Sequence, residues 1–317
     1  MARWKKPVFF AFLLGLAGCS KAENPWEHVA GGPTKVLVTI PPLYSFAKNV
    51  ARDDAAVLCL LGSKGPHSFQ PLPSDSLKAK EATVFVAVGL GLDEWTERIR
   101  NSSGNKEKIK FVEVGELAGA IKEEHEGKEE KGGHGHHHHG DYDPHVWLGI
   151  PESIKMVNAI RDTLQEVDPK NKEGYAKRAA AYVKELQKLQ ADGLAELKKK
   201  KNKKLIATHD SLRYFGKSFG LEILDSIQPR PGIEADATKM TNLVKIMKDK
   251  DVHVIATEPQ YPRKLAEILK SKLEKLNVKV NLVEIDPMET AQAEDLDAGY
   301  YVKKMQENIA NLAKALP

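Results

Sequence analysis

Three histidines and one aspartate stand where their side chains could share an ion. His67 lies in "GPHSFQP", a Gly/Pro loop, and His145 in "YDPHVWL", after a proline and before an apolar run. His209 closes the strand-like run of "LIATHDSLRYF", and Asp286 closes that of "VEIDPMET". Three imidazole nitrogens and one carboxylate oxygen suit a borderline divalent cation, zinc above all. Singly, each residue has a plainer explanation. A lone loop histidine is ordinarily solvated, and an aspartate before proline is often a turn former. Their joint placement carries more weight. All four sit in loops or at the ends of strand-like runs, where open α/β sheets bind ligands. Two come from each half of the chain, which points to a cleft between domains.

The other histidines fit less well. His134, His136, His137, His138 and His139 cluster between glycines in a polar stretch. They read either as a solvated segment or as a weak, multi-site zinc collector that raises the local ion concentration. His253 falls inside a strand pattern, and His28 in a polar leader segment. Glu258, in "TEPQYP", ends a strand and in principle faces the same cleft, where it reads as supporting a ligand or packing a helix, with direct ligation as the lesser alternative. No GxSxG, GxxxxGK[ST] or HExxH pattern occurs, and the glycines form no dinucleotide fingerprint.

The elements that must hold these residues alternate. Strand-like runs at 35–40, 55–61, 83–88 and 108–114 are separated by helical patterns at 43–51, 73–82 and 92–102, the second with Ser74 or Asp75 near its N-cap. Residues 116–143 have almost no apolar side chains and read as a disordered His-rich loop. A helix starts near Pro151, and a longer one covers 171–201, with Tyr175, Ala179, Tyr182, Leu186, Leu189 and Leu197 at helical spacing. The alternation then resumes, with strands at 204–208, 221–227, 252–258 and 278–285 and helices at 211–219, 238–250, 262–276 and 295–315. The expected class is α/β: two Rossmann-like lobes with parallel sheets, 35–168 and 203–317, joined by a linker helix over 169–202.

The first residues follow a different logic. A short cationic start precedes "VFFAFLLGLAG", an apolar run too short to span a bilayer comfortably, and then Cys19. This reads as a secretory signal over residues 1–18. "LAGC" resembles a bacterial lipobox, which implies lipidation of Cys19 and an extracytoplasmic, lipid-anchored protein, with 19–34 as tether. Cleavage removes Arg3, Lys5 and Lys6 and no acid, so the formal charge falls from +4 to +1. A near-neutral protein gives no case for nucleic acid. Cys59 is then the only thiol left, so no internal disulfide is expected.

"GPHSFQPLPSD", "DPHVWL", "THDSLRYF", "PGIEADAT", "TEPQY" and "EIDP", in this order, resemble segments of the zinc/manganese solute-binding lipoproteins of bacterial ABC uptake systems. The likeness runs from Lys35 to the C-terminus, and the His-rich loop resembles that of the zinc-importing branch. It implies two lobes on a rigid helix, a buried ion held by His67, His145, His209 and Asp286, and capture rather than catalysis. The implied partners are a membrane permease and its cytoplasmic ATPase, and the protein itself is expected to be a monomer. His209 stands where manganese-type members carry a carboxylate, which favours zinc over manganese. Gln70, where many relatives would have Glu, is expected to make no bond to the ion. Two further readings stay open: a hydrolase with Glu258 as general base on a metal-bound water, and a zinc-dependent surface adhesin.

Overall fold

The computed structural model describes residues 24–122, 142–228, 233 and 235–317. The signal segment, Cys19, and the histidines at 134 and 136–139 lie outside the described residues.

The first sheet contains β1 (Thr34–Val38), β2 (Ala55–Cys59), β3 (Val84–Ala87) and β4 (Lys110–Glu113). They are all parallel in the order β2-β1-β3-β4, with Val36 in register with both Val57 and Val84. The second sheet contains β5 (Lys204–His209), β6 (Glu222–Gln228), β7 (Val254–Thr257) and β8 (Asn281–Glu284). It is also parallel and repeats the order, β6-β5-β7-β8. Both faces of such sheets must be covered, and alternating side chains show how. In β5, Leu205 and Ala207 join the apolar cluster shared with the first lobe, while Ile206 points into a separate cluster with Leu243, Ile255 and Leu269.

The helices are α1 (Pro41–Ala51), α2 (Pro73–Lys80), α3 (Trp95–Ser102), α4 (Ile150–Val167), α5 (Lys172–Lys198), α6 (Arg213–Phe219), α7 (Ala237–Asp249), α8 (Lys264–Glu274) and α9 (Tyr300–Ala315). α2 starts at Pro73, and Asp75 sits one turn in, where its carboxylate accepts from the Leu72 N–H. α5 has 27 residues, roughly 40 Å at 1.5 Å per residue, and buries the stripe Tyr175, Ala179, Tyr182, Leu186, Leu189, Gly193 and Leu197. Gly193 lets other helices cross closely. A Cβ there would lie 2.6 Å from a Phe219 ring carbon and 2.8 Å from Ile309. α9 turns back from the second lobe to pack on α1 and α5. The Ser45 hydroxyl and the Asn49 amide of α1 both donate to the Ala298 carbonyl just before it. One apolar cluster therefore runs through both lobes.

Two segments expected to be loose are built in where they are described. Ahead of β1, Trp26 is buried and its indole N–H donates to the Lys78 carbonyl. Around the His-rich stretch, 116–118 form a 3-10 turn with Ala118 buried, and Lys122 bridges to Tyr142. No helix among the described residues is long and apolar enough to cross a membrane.

Candidate metal centre

Each site residue is aimed by its local chain. His67 sits in a 3-10 turn opened by Pro66. The Pro66 carbonyl accepts from the Trp95 indole, and Phe69 packs on the same ring at 4.6 Å. His145 precedes a second 3-10 turn, Val146–Leu148, whose apolar side chains are fully buried. The Trp147 indole N–H donates to the Pro287 carbonyl of the other lobe at 2.7 Å. His209 is the last residue of β5, and Glu258 follows β7. These two strands are neighbours where the strand order reverses, the crevice in which such sheets bind ligands.

The three histidines meet. The Nε2 atoms of His67 and His145 are 3.3 Å apart, and those of His145 and His209 also 3.3 Å. The carboxylate that meets them is Glu289. Its Oε1 lies 3.2 Å from His67, 3.3 Å from His145 and 3.5 Å from His209. The side chains of His145, His209 and Glu289 are 4%, 1% and 0% exposed, while that of His67 is 16% exposed and lines an open cleft of about 860 Å³. Once the imidazoles are neutral, three nitrogen lone pairs and a carboxylate oxygen aimed at one point suit a shared cation. Bonds of about 2.0–2.1 Å to a tetrahedral zinc give ligand–ligand edges of about 3.3–3.4 Å. The five edges above run from 3.2 to 3.5 Å. The donor set is three nitrogens and one oxygen, with no thiolate.

Asp286 does not join them, contrary to the sequence expectation. Its Oδ1 accepts from the Met288 N–H at 2.8 Å, and its Oδ2 pairs with Lys304 at 3.2 Å. Asp286 thus caps a turn in which Met288 takes a positive φ of 61°, and that turn delivers Glu289. The signal for Glu289 was a second carboxylate three residues on, beyond a proline that forces the chain to turn. Gln70 is exposed and lines a different surface hollow beside Leu72 and Leu77.

Behind the centre stand two more carboxylates. Asp143 Oδ1 accepts from His145 Nδ1 at 2.8 Å and from the His145 backbone N–H at 3.0 Å. Asp143 was missed, although an acid two residues before a histidine, across a proline, makes this short-range bond natural. Glu258 Oε1 accepts from His209 Nδ1 at 2.7 Å, and Gln260 holds the other oxygen at 3.0 Å. Such bonds fix the ring orientation and present Nε2 to an ion. The Tyr214 hydroxyl donates to the Asp143 carbonyl and accepts from the Ile121 N–H, tying both flanks of the 123–141 stretch to α6.

Protonation follows from these contacts. Burial pushes His145 and His209 down, but carboxylates outweigh it. Asp143 and Glu289 bring His145 to about 9, and Glu258 with Glu289 brings His209 to about 10. Among the described residues no carboxylate stands behind His67 as one does behind the other two, and burial lowers it despite Glu289. Burial would raise Glu289, but hydrogen bonds from the three imidazoles hold it well below the usual carboxylate range. Burial raises Glu258, partly offset by His209. Burial, and then the charges of Glu289 and Glu258, raise Tyr261, so its phenol stays protonated.

The family model for the zinc-uptake complex component A, periplasmic, matches residues 36–315. The chain belongs to the ZnuA family. It is 31% identical over 305 residues to the zinc-binding lipoprotein AdcA of Streptococcus pneumoniae, covering 94% of this chain and 58% of that protein. It therefore spans little more than half the length of that ZnuA-family relative. It is 28% identical over 263 residues to the manganese-binding lipoprotein MntA of Halalkalibacterium halodurans, covering 80% of this chain and 81% of MntA. Among solved structures, the SBP FpvC of Pseudomonas aeruginosa in complex with Mn2+ superposes with a TM-score of 0.76 at 26% identity, over 90% of this chain and 98% of FpvC. The two-lobed α/β architecture expected from the alternation is the one these relatives share.

Proposed function

We propose that this protein is the extracytoplasmic zinc-capturing component of an ABC metal importer. The observation that carries the reading is the His67–His145–His209–Glu289 set, whose edges fit a zinc-sized tetrahedron. Zinc is the cargo. It enters from the cleft on the His67 side, leaves its water behind, and is held by four donors that together carry one negative charge. A membrane permease with its cytoplasmic ATPase then receives the ion. Relatives named as lipoproteins, together with the "LAGC" stretch, support lipid anchoring at Cys19 outside the cytoplasm. We take the protein to act as a monomer.

Catalysis has less to build on. A hydrolase would need a base facing a metal-bound water. Glu258, the candidate, is engaged by His209 and Gln260 instead. The runner-up is manganese, supported by the likeness to MntA and to manganese-bound FpvC. Three nitrogen donors favour zinc over the harder ion. The histidines at 134 and 136–139 fit a supplementary role as a weak zinc collector. The described residues that flank their segment, Lys122 and Tyr142, bridge one another next to Asp143 in the chain.

Metal analysis of the purified protein and competitive titration with zinc and manganese test the reading. One tightly held zinc per chain, not displaced by equimolar manganese, is the expected outcome. Equal preference would remove the zinc assignment. Deleting 123–140 should lower the number of weakly bound zinc ions and leave the tight one.

A further inference from the structure

The four-residue stretch Glu258–Tyr261 supports both sides of the metal centre. Glu258 holds His209, and Gln260 in turn donates to Glu258. Tyr261 packs its ring edge-on to His209, with centroids 5.7 Å apart, and its hydroxyl lies 3.4 Å from Glu289 Oε2. This is the oxygen of Glu289 that does not face the imidazoles; Oε1 alone contacts all three. The contact is long for a phenol hydrogen bond, and a shift of a few tenths of an ångström in either group shortens it. On its other side, a Cβ at Gly65 would meet Oε2 at 3.7 Å, an ordinary van der Waals contact. The tyrosine hydroxyl is thus placed to restrain the second oxygen from rotating towards the imidazoles.

We propose that Tyr261 is a positioning residue that sets metal preference. By donating to Glu289 Oε2, it leaves the carboxylate one oxygen to give. The proposal rests on the zinc-capture reading above. A carboxylate giving one oxygen completes a four-donor set of the kind zinc prefers. A carboxylate giving two makes five donors, which moves the site towards larger ions that take more oxygen ligands, such as Mn2+. The tyrosine works through Glu289 and does not itself touch the ion. Its ring and its hydroxyl have separate effects: the ring supports His209, while the hydroxyl decides how many oxygens Glu289 can offer.

The test uses the mature protein with Co2+ as a spectroscopic probe, for wild type, Tyr261→Phe and Tyr261→Leu. A four-coordinate Co2+ centre absorbs visible light several times more strongly than a five- or six-coordinate one. Wild type should give the intense spectrum. Tyr261→Phe keeps the ring and should lower the absorbance several-fold. It should also narrow the zinc-over-manganese preference by about tenfold, the worth of one hydrogen bond to a charged oxygen. Tyr261→Phe with wild-type absorbance and preference would overturn the proposal, even if Tyr261→Leu changed both, because the ring would then be responsible. Equal weakening of zinc and manganese with the intense spectrum retained would also overturn it. Failure of wild type to hold one tight Zn2+ or Co2+ would instead sink the capture reading, and this proposal with it.

Discussion

The two sheets have the same strand order, so each has one crevice where the order reverses, and the two crevices are filled differently. In the first lobe it lies between β1 and β3. Asp93 fills it, accepting from the Thr39 hydroxyl and from the Val88 and Gly89 backbone N–H groups, each at 2.8 Å. Gly89 has a φ of +78°, and a Cβ there would press on Glu113 at 2.9 Å. In the second lobe the crevice lies between β5 and β7. There Glu258 accepts from the His209 imidazole at 2.7 Å, which leaves Nε2 free to face the centre. A buried carboxylate spent on backbone donors closes a crevice; one spent on an imidazole equips it. Topology alone does not make a site. The first lobe therefore delivers His67 and His145 from loops beyond β2 and β4 rather than from its own crevice.

Substitutions at the two carboxylates should separate these roles, and the larger effect falls on the first. Asp93→Ala strands two buried N–H groups and a hydroxyl, each costing roughly 1–3 kcal/mol. The free energy of unfolding should drop by about 3 kcal/mol or more in a denaturant titration, with one tight zinc still bound by the folded fraction. Glu258→Gln keeps the shape and removes the charge behind His209. Zinc affinity should fall by about 10–100-fold, the usual effect of losing a carboxylate that orients a ligating histidine. If Asp93→Ala abolished zinc binding in folded protein, or Glu258→Gln left affinity unchanged, the contrast between the crevices would be lost.

Proton release sharpens the same contrast. His145 and His209 are held above the ordinary imidazole range, at about 9 and about 10, so at neutral pH zinc must displace a proton from each. Because these values lie above those of the unfolded chain, the stability they lend the metal-free protein is complete below about pH 6.5 and is lost as pH rises through 9 and 10. The zinc-bound protein lacks those protons and escapes that loss. The zinc-induced rise in Tm should therefore grow between pH 6.5 and 9. Apparent zinc affinity should increase towards a hundredfold per pH unit, tenfold for each proton released. Calorimetry in buffers of different ionisation enthalpy counts those protons. Glu258→Gln should bring the count from two towards one, and Asp93→Ala should leave it at two. A count of zero in wild type would mean that both imidazoles are already neutral.

Much of this was legible in the sequence because it is local. Strand-like runs of five to eight residues mark all eight strands among the described residues, and His209 could be placed because it terminates one of them. His145 stood out because it leads into Val146, Trp147 and Leu148, a run that must be buried. What could not be read depends on distant partners. Asp286 looked like a ligand because it too follows a strand, but its oxygen is taken by Lys304 on α9, eighteen positions along the chain. Glu289 reaches the centre only because Met288 adopts a left-handed backbone conformation, which residue type does not announce. Trp26 and Tyr214 likewise find their partners, Lys78 and Asp143, across long sequence separations.

The smallest expected effect is the one that separates those two carboxylates. Asp286→Asn keeps an oxygen for the Met288 N–H and gives up the pair with Lys304, which retains Glu307 at 3.5 Å. That pair is partly exposed, with side chains 14% and 29% accessible, so its loss should cost under about 1 kcal/mol of stability. Because the turn stays capped, Glu289 stays aimed, and zinc affinity should remain within about threefold of wild type by the same argument. Glu289→Gln, which removes the anionic oxygen among the three imidazoles, should lower it far more in the same titration. Equal losses for the two variants would return Asp286 to the ligand set and leave Glu289 as a neighbour that only balances charge.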